Sequence, residues 1–121
     1  MTTTWDDSYQ VSTRVTTVVN TGTSDVDSFA DTLGHGAEWR YTVNKGSGAN
    51  MRTGVIMACW DKVADSTPQP WPDQSSPDIG TTIGVISFSV VKSGNSVALQ
   101  ATATSDGWTV DVVRTLIGAT T

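Results

Sequence analysis

The chain has 121 residues, of which 37% are hydrophobic and 16% charged, with 33 Thr and Ser, 11 Gly and a formal net charge of −5. That length holds one domain, and the scarcity of Leu, Glu and Lys excludes a coiled coil or a helical bundle. Seven singly spaced basic residues cannot form the cationic stripe that a nucleic-acid backbone requires, and no apolar run approaches the roughly 20 residues that span a bilayer.

Residues 1–7 are polar apart from Met1 and Trp5 and read as an N-terminal arm ahead of a single domain over 8–118. The arm has neither the basic nor the apolar segment of a signal peptide, so synthesis in a cytoplasm without cleavable export is expected. Residues 8–19 then alternate, with Tyr9, Val11, Val15 and Val19 on one side and Gln10, Ser12 and Arg14 on the other, as a half-buried strand does. A turn follows at Asn20-Thr21-Gly22-Thr23, and 26–33 is a weaker segment, either a short strand or a bend. Glu38–Val43 alternates again, with Trp39, Tyr41 and Val43 toward a core. The glycines of 44–50 close a hairpin into a strand over Met51–Trp60.

After Gly54 that strand is apolar on both faces, which implies cover from an internal strap or from another subunit. Cys59, the only cysteine, reads as a buried small hydrophobe in this run; the functional alternative pairs it with His35, the only histidine. Residues 61–82 carry all four prolines and read as a semi-extended Pro-rich loop. Strand character returns over 83–91 with Ile86, Phe88 and Val90 inward, turns at Lys92–Ser96, and resumes with Val97, Leu99, Ala101 and Ala103. Asp106-Gly107 is a strong hairpin signal, leading into a last strand that opens at Trp108 and ends near Leu116. About seven strands joined mostly by hairpins predict an all-β fold, an antiparallel β-sandwich with a jelly-roll-like arrangement as one form of closure.

Chemistry is thinly represented. Asp25, Asp27 and Asp31 resemble a calcium loop only loosely, lacking the glycine and the terminal glutamate of that motif. Phosphate-cradling, zinc-protease and serine-hydrolase motifs are absent, so no catalytic residue, metal site or cofactor is expected. Trp39, Trp60 and Trp108 fall in strands and read as core. Trp71, between Pro70 and Pro72, is a rigid aromatic candidate for contact with a partner, or else a plug for one end of the sandwich. Trp5 is a second candidate contact.

The segments Ala37–Val43, Asn50–Asp61, Ser76–Thr82, Ser87–Val90 and Val97–Val110 resemble a small domain recurrent in tailed-bacteriophage virion proteins, over 28–118. The resemblance implies a non-enzymatic structural protein of the virion, made in the host cytoplasm and working as a homo-oligomer, most often a trimer. With no shaft or collagen-like repeat in the sequence, the expected role is that of a capsid decoration or cement protein bound to the major capsid protein or another virion protein. A tail or fibre component that meets the host surface is the alternative. From a different class, a carbohydrate-binding module would use Trp71 and Trp5 to stack on a glycan.

Overall fold

The computed structural model describes residues 10–61 and 68–118. The expected arm at 1–7, with Trp5, lies outside them, as does Tyr9; for Pro70, Trp71 and Pro72 only the backbone is described. The described residues form eight strands: β1 (Gln10–Val19), β2 (Gly22–Ala30), β3 (Gly36–Lys45), β4 (Asn50–Cys59), β5 (Gln69–Ile79), β6 (Ile86–Ser93), β7 (Ser96–Ala103) and β8 (Trp108–Ile117). A 3-10 turn at Asp31–Leu33 follows β2. The strands form two antiparallel sheets, one of five in the order β1-β8-β3-β4-β5 and one of three in the order β2-β7-β6. The all-β sandwich expected from the alternating pattern is the fold.

Inward rows from both sheets make one core. Trp108, Val110, Val112 and Leu116 of β8 and Trp39, Tyr41 and Val43 of β3 are fully or almost fully buried against Val97, Leu99, Ala101 and Ala103 of β7 and Ile86 of β6. Each buried tryptophan satisfies its indole N–H, as burial demands. Trp39 donates to Asp27 at 2.9 Å, Trp60 to the Asp31 carbonyl at 3.1 Å and Trp108 to Ser105 at 3.2 Å.

Connectivity departs from the hairpin-rich expectation. β3–β4, β4–β5 and β6–β7 join bonded neighbours, whereas every other connection crosses between the sheets. The Asp-Gly turn at 106–107 is one of these crossings, carrying the chain from β7 in one sheet to β8 in the other. The Asn20-Thr21 corner between β1 and β2 crosses beside it. The corners are bonded to each other: Asp106 accepts the Thr21 N–H and hydroxyl, both at 2.8 Å, and Asn20 accepts the Gly107 N–H at 3.0 Å. Asp106 thus serves a tertiary bond between corners where a hairpin was expected.

The second departure is at 61–82. Instead of a Pro-rich loop, Gln69–Ile79 is an edge strand paired with β4. Two β5 residues oppose one β4 residue twice, 72–73 across from Ile56 and 76–77 across from Thr53, and each bulge contains a proline. Proline lacks the N–H that a central strand needs, so edges and bulges are where a sheet accepts it. β5 ends at Gly80, where φ is +74° and a Cβ would collide with the Ala49 carbonyl oxygen.

Candidate interaction surface

Two kinds of polar feature stand out, one inside the sandwich and one on its outer wall. Inside, three of the seven basic residues occupy core-facing positions: Arg52 on β4, Lys92 on β6 and Arg114 on β8. Arg114 Nη1 bonds both carboxylate oxygens of Asp27, at 2.9 and 3.1 Å, and its guanidinium lies 4.8 Å from the centroid of the Phe29 ring. Arg52 donates to the Tyr41 hydroxyl at 2.9 Å and to the Ile86 carbonyl at 2.8 Å. Lys92 faces Asp31.

These contacts settle where the supposed calcium loop sits. Asp25 accepts from Gln100 on the surface, Asp27 from Arg114 and Trp39, and Asp31 meets Lys92, so the three acids have separate protein partners. A bulge at Asp25/Asp27 turns both Val26 and Asp27 inward, which is why simple alternation misplaces them.

The outer wall of the five-stranded sheet has a different character. Its central strand β3 presents Glu38 and Arg40, bonded to each other at 3.1 Å. On one side the register sets Val113 beside Arg40 and Ile117 beside Gly36; on the other it sets Val55 beside Arg40, Met57 beside Glu38 and Cys59 beside Gly36. A charged stripe therefore runs between two largely apolar columns, with Thr115 beside Glu38 as the polar member of the β8 column. Val113, Ile117 and Met57 are 41%, 57% and 46% exposed. Five of the seven large hydrophobic residues exposed among the described residues lie on strands of this sheet, the others being Val18 and Ile79; none lies on the three-stranded sheet. The outer positions of β2, β6 and β7 are instead mostly polar, with Thr23, Ser28, Ser87, Ser89 and Thr102 around the smaller apolar side chains of Val91 and Ala98.

A groove of about 290 Å³ crosses the same wall, lined by Arg14, Arg40, Thr42, Thr53, Asp111 and Val113. Arg14 grips Asp111 bidentately at 3.0 and 2.6 Å. That hydrogen bonding holds the Asp111 carboxyl below, and the Arg14 guanidinium above, its ordinary range. Among the described residues the groove is lined by a single carboxylate, Asp111, already engaged by arginine.

The wall also corrects the expectation for Cys59. Inward places on β4 go to Arg52, Ile56 and Ala58, so Cys59 points outward and is exposed. The β4 run is apolar on both faces, and its outer face has no internal strap over it among the described residues. Gly36 pairs with Cys59, which brings the exposed His35 to the neighbouring strand end. Of the partner-contact candidates, Pro70 and Trp71 stand in β5 opposite Ala58 and Met57, and Pro72 lies in the first bulge.

No protein-family model matches the chain, and no curated protein matches its sequence. Two solved structures to which it is similar are both phage tailspikes. The tailspike protein of Acinetobacter baumannii phage AM24 aligns with a TM-score of 0.48 at 6% identity, over 93% of this chain and 26% of that one. The tailspike protein of Acinetobacter phage vB_ApiP_P1 aligns with a TM-score of 0.41 at 15% identity, over 98% of this chain and 24% of that one. The chain spans about a quarter of each.

Proposed function

We propose that this chain is a structural module of a tailed-phage virion, docked on a protein neighbour through the outer wall of its five-stranded sheet and active as a homo-oligomer. The observation that carries the reading is the contrast between the two outer walls. One is the Ser/Thr-rich surface of a face meant for water, whereas the other sets Val113, Ile117 and Met57 around the Glu38–Arg40 pair. Exposed apolar area gathered on one face, with polar groups among it, is the composition of a contact surface.

The virion setting rests on the sequence resemblance. Its matched segments fall on β3, β4, the end of β5, β6, β7 and the start of β8, the walls of the sandwich. A non-catalytic role agrees with the fate of the buried acids Asp27 and Asp31, which hold Arg114, Trp39 and Lys92.

A tail or fibre placement is proposed ahead of the head. That these 121 residues hold no shaft repeat, which favours a capsid decoration protein, carries little weight, because that length makes one domain whichever part of a virion it serves. Antibody labelling of intact virions in the electron microscope tests the placement. Label at the tail or its fibres is expected, label spread over the capsid would restore the decoration reading, and particles without label would reject both.

A further inference from the structure

A buried amine and a buried carboxyl meet at one end of the three-stranded sheet. Lys92 takes the next inward place on β6 after Ile86, Phe88 and Val90, and its side chain has no exposure to solvent. Asp31 opens the 3-10 turn after β2, and its side chain is 2% exposed. Lys92 Nζ lies 3.3 Å from Asp31 Oδ2, yet that oxygen accepts no hydrogen bond from any described residue.

Both partners are held by other bonds. Asp31 donates its N–H to the Asn95 carbonyl at 2.8 Å, and its own carbonyl accepts the Trp60 indole N–H at 3.1 Å. Lys92 Nζ donates to the Gly94 carbonyl at 2.7 Å. Trp60 packs on Phe29 with ring centroids 5.3 Å apart, so the surroundings are aromatic and dry. Two desolvated charges and an unmet acceptor make a poor ion pair, because removal from water is only partly offset by the attraction. The same geometry is a good one for a reaction: an amine fixed at contact distance from a carboxyl has lost the freedom that makes such encounters rare.

We propose that Lys92 and Asp31 condense into an intramolecular isopeptide bond. One proton passes from the ammonium to the carboxylate, which cancels both buried charges. The lone pair of Nζ then adds to Cγ, a Cγ–O bond breaks, and the departing oxygen leaves as water with the two protons that nitrogen gave up. No oxidant, cofactor or second substrate is consumed. The product amide keeps one N–H for the Gly94 carbonyl and carries neither of the two buried charges. β2 and β6 are the two edges of the three-stranded sheet, and Ala30 and Ser93 both pair with Ser96 of β7 between them. The bond therefore clamps both edges at one end and closes a covalent loop from residue 31 to residue 92, which restricts the unfolded chain as a disulfide does.

The test is the intact mass of the full chain under denaturing conditions, followed by a tryptic map. The protein is expected to be lighter than its sequence by one water. Trypsin should leave Lys92 uncut and yield one branched product joining residues 15–40 to residues 63–114. Lys92→Met should return to its own full calculated mass, a readout that does not depend on its folding. A wild-type chain at full sequence mass, cleaved normally after Lys92, overturns the proposal. So does a missing water that persists in Lys92→Met, which would mark ring closure at Asp106-Gly107 instead.

Discussion

Asp27 ties two large buried side chains together, because its two oxygens serve Arg114 and Trp39 at once. Deleting one member of a buried pair strands the other without water, at about 3–5 kcal/mol, whereas replacing both by apolar groups is often neutral. Asp27→Ala is therefore expected to lower the unfolding free energy by about 3–5 kcal/mol in urea melts, while Asp27→Leu with Arg114→Met together lose much less. Equal losses in both variants would show that packing, and not the stranded charge, sets the effect. The cations of the core were visible in the alternation: Arg114 continues the inward row of Trp108, Val110 and Val112, and Lys92 that of Ile86, Phe88 and Val90. What hid them is that their acids, Asp27 and Asp31, lie far away in sequence and, for Asp27, behind a bulge that reverses its side. Cys59 is exposed against expectation for a related reason, since an apolar run does not tell which of its faces is inside.

The strands themselves were the legible part, because a period of two needs only local sequence. Connections and sheet membership were not: Asp106-Gly107 has the chemistry of a tight hairpin, and only the distant Asn20-Thr21 corner decides that it bridges two sheets instead. The prolines of β5 misled in the same way, since their tolerance depends on the strand lying at an edge. The corner bond has a pH signature. Hydrogen bonds from the Thr21 N–H, then from its hydroxyl, hold the Asp106 carboxyl below its ordinary range. A carboxyl depressed on folding adds stability above its unfolded value, and that addition fades as pH falls through its folded value. Asp106→Ala is thus expected to melt lower than wild type at neutral pH, with the gap narrowing as the solution is acidified below the carboxylate range. Melting curves in a pH series read this directly; a gap that is constant or widens in acid would remove Asp106 as the source.

At the scale of the whole molecule, the two sheets divide the work: the smaller one closes the core behind a hydroxylated surface, and the larger presents apolar columns that the described residues leave exposed. Substitutions on such a face cost the fold less than substitutions in the core, because the side chain is already partly in water, but they change association strongly where the face is buried between subunits. Val113→Asp and Met57→Asp sit on opposite sides of the Glu38–Arg40 stripe, so each places a carboxylate in a different apolar column. Both variants should keep the wild-type circular dichroism, which shows that the fold survives the substitution. Light scattering should find the wild type as a homo-oligomer and both variants as monomers. The equivalent exchange on the other wall, Ser89→Asp, should leave the oligomer intact, since that wall carries no exposed large hydrophobic residue among those described. A monomeric wild type would remove self-association from the function proposed. An oligomer that survives both Val113→Asp and Met57→Asp would move the contact off this wall, and the proline-bearing edge of β5 would then be the surface to alter.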